Sequence, residues 1–223
     1  MKIFPTKRYA VLTGDIVNSS KLSKAERQRL PAEIKRAARE TQKTFPDAVP
    51  LDLEVFRGDS WQLLLSDPVR SLRIGLFFRA CLRSGRERGR GLDTRMAIAL
   101  GAVDFVPKGK VSEGDGEAYR ISGRVLEELP SNRFLRIAGP DLPEQSGLDA
   151  IVGLIDAIAQ GWTGRQARAV AGALRGWTQE KIAASWSEAV SQPAITKHLG
   201  GARWPALETA LAFCEAYLKK EYK

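Results

Sequence analysis

The feature that most constrains this chain is the stretch Tyr9 to Ser20, YAVLTGDIVNSS. It opens with a continuous apolar run, Tyr9-Ala10-Val11-Leu12, of the kind that makes a buried strand. One carboxylate, Asp15, stands at the strand's end, and Ile16 and Val17 lead into the polar turn Asn18-Ser19-Ser20. Beyond it, Ser23-Lys24-Ala25-Glu26 is a capping box, which starts a helix. The order is therefore strand, acid, polar loop, helix N-terminus. A loop feeding a helix offers backbone N–H groups and partial positive charge to an anion. Asp15 beside such a loop either holds a Mg²⁺ that shares the anion's oxygens or simply caps a turn.

With 223 residues the chain can hold one large domain or two modest ones. No run approaches the roughly 20 apolar residues of a transmembrane span. The start, MKIFPTKRYAV, lacks a signal-peptide apolar region, so a cytoplasmic location is expected. Cys81 and Cys214 are far apart, lack metal spacing and read as buried free thiols. A single histidine, His198, rules out His-based metal clusters and a two-His relay. Catalysis would fall to carboxylates, arginines and a metal. The net charge of +9 suits a polyanionic partner, nucleotide or nucleic acid, but both halves of the chain share it.

After the strand at 9–16, residues 24–45 predict a long helix with a possible bend at Pro31. LDLEVF, 51–56, and the run from Trp61 to Leu65 predict a hairpin with Asp59 at its tip. Residues 68–85 predict an amphipathic helix ending in Arg83, Arg86, Arg88 and Arg90. That run is usually a solvated helix end; a phosphate-facing patch is the rarer use. A strand at 93–106, a Gly-rich loop at 107–117, a helix at 118–129 and a strand at 133–139 complete the set. This β-α-β-β-α-β-α-β order predicts a mixed sheet with helices on one face, ferredoxin-like.

DIVNSS at 15–20, GDSWQ at the hairpin tip, the strand with GAV at 101–103 and GDGEAYRISGRV opening a helix, in that order, resemble the class III nucleotide cyclase homology domain. They are most similar to its small bacterial SatD-like branch, over residues 8–140. The resemblance implies that Asp15 and Asp59 hold two divalent ions, Mg²⁺ or Mn²⁺, on the triphosphate and the attacking 3′-hydroxyl, with the Ile16 carbonyl as a backbone ligand. It implies that Val17, Asn18 and Ser19 cradle phosphate and that Arg124 stabilises the reacting phosphorus. It also implies a head-to-tail homodimer with shared active sites. Two positions depart from the pattern. Arg120 stands where cyclases place a ribose-orienting Asn, and Val55 where they place a base-reading Lys. The departures point to a nucleotide-binding domain of changed specificity, or to a weak or lost cyclase.

Residues 140–147 read as a linker. Helical periodicity resumes at Leu148, and Thr163 to Gln166 is a second capping box. The segment WTQEKIAASWSEAVSQPAITKHLGGA resembles the helix-turn-helix of bacterial regulators, across 162–203, with a turn about two residues longer. That resemblance implies Gln192, Thr196 and Lys197 facing a DNA major groove, with Arg165 and Arg203 on phosphates. A protein-interaction module would use the same helices. Trp162, Trp177, Trp186 and Trp204 read as core anchors, His198 as an internal hydrogen-bonding group, and 205–220 as a helix packing on the trio.

The expected architecture is thus α+β: a ferredoxin-like, cyclase-type domain over 1–139 followed by an all-α helix-turn-helix domain over 148–223. The leading functional expectation is a DNA-binding transcriptional regulator whose cyclase-like domain binds nucleotide and divalent metal. Its alternatives are an active metal-dependent nucleotidyl cyclase or nucleotidyltransferase, and a dimeric scaffold with neither activity.

Overall fold

The computed structural model describes all residues except 1, 5, 86–90, 141, 143–146 and 223. Strand β1 (Tyr9–Ile16) is buried along its length except at Asp15. It lies at the centre of a five-stranded sheet with β2 (Glu54–Phe56), β3 (Ser60–Leu65), β4 (Thr94–Gly101) and β5 (Leu135–Ala138), in the order β2-β3-β1-β4-β5. The first four strands are antiparallel neighbours, and β5 pairs parallel to β4. The order β2-β3-β1-β4 is the ferredoxin-like arrangement expected from the element sequence.

Helices α1 (Lys24–Thr44) and α2 (Ser71–Arg83) cover the face that carries Ala10, Leu12 and Ile16. Helix α3 (Glu117–Glu127) covers the opposite face, where Ala118 and Tyr119 pack with Tyr9, Val11 and Leu64. The expectation of helices on one face is therefore corrected. Both alternating sets of β1 side chains are apolar, and a strand apolar on both faces needs cover on both. The capping box of α1 is formed: Ser23 N–H donates to Glu26 Oε2 at 2.9 Å, and Glu26 N–H to Ser23 Oγ at 3.3 Å. The helix continues through Pro31. The strands expected at 51–56 and 93–106 are shorter than their apolar patterns. Beyond Gly101 the chain leaves the sheet, and Phe105 instead bridges to Asp115 across the Gly-rich loop.

Five helices follow: α4 (Gly147–Gln160), α5 (Gly164–Leu174), α6 (Gln179–Ala184), α7 (Gln192–Gly201) and α8 (Trp204–Glu221). Helix α4 packs along β5, α5 against α2, α7 on α5 and α6, and α8 on α4 and α7. One apolar cluster runs from Ala10 in the central strand to Leu218 in α8. The linker expected at 140–147 falls largely outside the described residues. The second capping box is formed, with Gln166 N–H donating to Thr163 Oγ1 at 3.2 Å and Thr163 N–H to Gln166 Oε1 at 2.8 Å. Trp162, Trp186 and Trp204 are buried core anchors, and Cys81 and Cys214 are buried free thiols. Burial pushes the Cys81 thiol up to about 12 and the Cys214 thiol to about 11. No described helix is long and apolar enough to cross a membrane.

The packing of α5 on α2 changes what α2 is. A helix between a sheet and a second helix layer is buried all round, so the amphipathic reading of 68–85 does not hold. Its arginines lie inside. Arg79, 0% exposed, donates to Asp93 at 2.7 and 2.9 Å and to Asp156 of α4 at 2.7 Å. Arg83, expected at a solvated helix end, is 4% exposed. It pairs with Asp93 and donates to the carbonyls of Gln160 (3.0 Å) and Trp162 (2.6 Å). Asp156 also accepts from the Phe134 N–H at 2.7 Å. Arg86, Arg88 and Arg90 lie outside the described residues.

Candidate functional site

The candidate site lies where β1 ends and β3 begins. Antiparallel pairing sets Asp15 opposite Ser60, the residue after Asp59. The tip that carries Asp59 turns through Arg57 and Gly58, with φ of 51° and 84°. Glycine takes that region without strain and arginine does not. Across the gap, Asn18 takes the left-handed conformation (φ 57°), which Asn tolerates better than most side chains. This folds residues 19–21 into a 3-10 turn, and Ser19 Oγ donates to Asp59 Oδ2 at 2.5 Å. The phosphate-cradle candidate and the hairpin acid are thus joined directly.

Asp15 is half-buried. Burial raises its carboxyl above the ordinary carboxylate range; Arg95 works against that shift and Asp59 adds to it. The strand end is rigid. Trp61 Nε1 donates to Thr94 Oγ1 at 2.9 Å, and the Thr94 hydroxyl donates to the Asp15 carbonyl at 2.7 Å. Gly14 makes room for this: a Cβ there would stand 2.5 Å from the Trp61 ring and 2.4 Å from the Arg95 carbonyl. Val17 N–H donates to the Asp93 carbonyl at 2.9 Å, which ties the loop to the buried arginine cluster.

Helix α3 runs alongside β1. Arg8 pairs with Glu117 at one end (3.1 Å), Thr13 and Ser122 share a hydrogen bond at 2.8 Å in the middle, and Arg95 holds the Leu126 and Leu129 carbonyls at the other. The C-terminal half of α3, with Arg124, therefore lies towards the Asp15 end. Arg124 is exposed, and its guanidinium has no hydrogen-bond or ion-pair partner among the described residues. Arg120, one turn earlier, is held by Asp115 at 2.7 Å and Asp104 at 3.5 Å. Val55 lies elsewhere, lining a cavity of about 580 Å³ between α1 and edge strand β2.

The donors at the sheet end are oxygens: two carboxylates, the Ser19 hydroxyl and nearby backbone carbonyls. A set of this kind fits a hard divalent cation and not a soft one. Among the described residues no group of three or more His, Cys, Asp or Glu side chains gathers as a metal cluster. The set therefore fits a small cation that keeps several waters, as Mg²⁺ does.

In the C-terminal helices, Gln192, Thr196 and Lys197 are exposed on α7, and Arg203 is exposed at the N-terminus of α8. Two of the candidates already have partners: Thr196 Oγ1 donates to Gln179 Oε1 at 2.5 Å, and Arg165 pairs with Glu188 at 3.0 Å. His198 stacks on Trp186, with ring centroids 5.6 Å apart. Burial, then Arg165 and Lys197, hold its pKa below the ordinary histidine value. Sequence reasoning missed Arg95, which β4 sets directly opposite Asp15. No residue spacing signals it, because cross-strand neighbours are set by register.

No protein-family model matches this sequence, and no curated protein matches it significantly. Among solved structures the chain is similar to a Trypanosoma brucei adenylate cyclase in its monomeric state, at 13% identity and a TM-score of 0.40, over 55% of this chain and 70% of that one. It is similar to the guanylyl cyclase Cya2 at 16% identity and a TM-score of 0.38, over 59% and 74%. It is also similar to a bacterial light-regulated adenylyl cyclase at 17% identity and a TM-score of 0.40, over 59% and 43%.

Proposed function

We propose that this protein binds a nucleoside triphosphate with a divalent cation at the Asp15–Asp59 end of its sheet and performs nucleotidyl transfer of the cyclase type. The observation that carries the reading is the pairing of Asp15 and Asp59. Two carboxylates from facing strand ends come close enough for one to raise the other's pKa, with a serine of the adjoining loop on the second. A pair of repelling, part-exposed carboxylates is stabilised by a cation.

In this reading Asp15, Asp59 and the Ile16 carbonyl hold the cation, which when bound supplies Lewis-acid polarisation and charge neutralisation. The turn Val17-Asn18-Ser19 cradles phosphate through the N–H groups of Asn18 and Ser19, the Val17 N–H being held by the Asp93 carbonyl. The unpartnered guanidinium of Arg124 spreads over charge developing on the reacting phosphate. Arg120, held by acids of its own loop, and Val55 replace the ribose- and base-reading groups, so the reading names no base. A homodimer with a shared site accompanies it. The test is phosphate release from each of the four nucleoside triphosphates with Mn²⁺, after pyrophosphatase. Turnover in the parent and none in Asp59→Asn is expected; no turnover in either removes the enzyme.

A second reading rests on a separate observation. Gln192 and Lys197 on α7, with Arg203 beyond it, are exposed and leave a polar, basic helix face to solvent. A helix-turn-helix built from α6 and α7 would lay that face in a DNA major groove, with Thr196 beside it and Arg165 on the backbone. The chain would then be a regulator that couples nucleotide to DNA. Replacing Lys197 and Arg203 by Ala is expected to weaken DNA binding and to lower the salt slope by about 1 for each phosphate that is no longer neutralised. Unchanged binding to every duplex tried would leave these helices a protein-interaction module.

A further inference from the structure

We infer that Asp93 is a positioning residue for the sheet-end site, held in place by the C-terminal helices through Arg79 and Arg83. The inference rests on the reading of Asp15, Asp59 and the Ile16 carbonyl as cation ligands. Residues 93 and 94 grip the end of β1 on both sides of Ile16. The Asp93 carbonyl accepts from the Val17 N–H at 2.9 Å, and the Thr94 hydroxyl donates to the Asp15 carbonyl at 2.7 Å. The Ile16 carbonyl and the Val17 N–H belong to one planar trans peptide and point opposite ways. The bond to Asp93 therefore aims the Ile16 carbonyl away from residue 93. The bond from Thr94 fixes the peptide plane that follows Asp15. Together they set the direction in which two of the proposed ligands leave the strand.

Asp93 lies just ahead of β4, and strand ends open more readily than strand centres. Its side chain supplies the hold. The carboxylate accepts from Arg79 Nε and Nη2 at 2.7 and 2.9 Å, from Arg83 Nη1, and from the Thr94 N–H at 2.9 Å. A paired guanidinium–carboxylate contact fixes direction as well as distance. Both arginines are fixed in turn from the C-terminal helices. Arg79 Nη1 donates to Asp156 at 2.7 Å, and Arg83 Nη2 donates to the carbonyls of Gln160 and Trp162. Asp156 also accepts from the Phe134 N–H, and the Phe134 carbonyl accepts from the Met96 N–H of β4 at 2.8 Å. Charges buried this deeply have no solvated alternative, so the bonds hold or break as a group. A shift of α4 is therefore passed through Arg79 to Asp93 and on to Val17, and α4 is part of the frame of the site.

The experiment is a Mn²⁺ titration of the full chain without nucleotide, counting free Mn²⁺ by electron paramagnetic resonance at a temperature where every variant is folded. Asp156→Asn leaves all of the proposed cation ligands in place. It is expected to weaken Mn²⁺ binding about tenfold, as loss of a group that orients metal ligands does. Asp93→Asn is expected to weaken it by at least as much. Leu211→Ala empties a buried position of α8 without removing any hydrogen bond of the cluster. It lowers stability too, and is expected to leave the Mn²⁺ affinity unchanged. Arg79→Lys, which keeps the charge between the two acids and loses the paired contact, takes the place of Asp156→Asn should that variant fail to fold, with the same tenfold loss. Parental affinity in Asp93→Asn, or in Asp156→Asn or its substitute, would overturn the positioning role, and so would an equal loss in Leu211→Ala. No Mn²⁺ bound by the parent at millimolar concentration would remove the cation site itself, and the role of Asp93 with it.

Discussion

Two groups of charged side chains meet at residue 93 and have opposite characters. In the first, Arg79, Arg83 and Asp156 are buried and Asp93 is nearly so, and each guanidinium is answered by carboxylates or backbone carbonyls. In the second, the Asp15 and Asp59 carboxylates lie part-exposed, one repelling the other, with Arg95 near but not paired to Asp15. The backbone N–H of Val17 on the Asp93 carbonyl joins the two. The difference teaches how to sort carboxylates: an acid whose charge is cancelled inside the fold is costly to remove, and an acid whose charge is left over is a candidate to meet a ligand.

Three outcomes would break or sharpen that contrast. The largest concerns the engaged group. Asp156→Ala removes a buried partner of Arg79 and an acceptor for the Phe134 N–H, and is expected to cost about 3–5 kcal/mol in denaturant unfolding. A cost below about 1 kcal/mol would show that the cluster is no more than surface-like. Next, Asp59→Asn is expected to weaken Mn²⁺ binding by at least about a hundredfold, roughly 2.7 kcal/mol, without lowering the midpoint of thermal unfolding. A large loss of stability would move Asp59 to the structural group.

The smallest effect is a pH dependence at Asp15. Its folded pKa is raised, chiefly by burial, so the fold favours the protonated carboxyl. That stabilising contribution is complete below the ordinary carboxylate pKa and is lost as pH rises through the raised folded value. At neutral pH the carboxylate is therefore a mild burden on the cation-free protein. Asp15→Asn is expected to raise the thermal midpoint by roughly 1–3 °C at pH 7 and by less near pH 4. Mn²⁺ affinity in the parent should fall on acidification from a higher pH than an ordinary carboxylate would set. A pH-independent difference between parent and variant would sink the account.

How far the sequence could be read follows from the range of each interaction. The capping boxes at Ser23 and Thr163 were legible because a cap is made within four residues. Strand β1 and the hairpin tip at Asp59 were legible because apolar runs and turn residues act locally. Helix α2 was misread. Its apolar positions show a helical period, but α5, contributed by residues some ninety positions further on, covers its second face and turns Arg83 inward.

The sequence by itself determined the elements and their order, the acids at two strand ends, the caps, and the lack of any histidine pair. Those are properties of residue type and of spacings within one turn or one hairpin. Only the tertiary structure decided that α3 covers the second sheet face, that Arg79 and Arg83 are buried against Asp93 and Asp156, and that Arg95 stands opposite Asp15. The physical reason is that burial and cross-strand register are set by partners distant along the chain. A charge's meaning depends on which of those partners it meets.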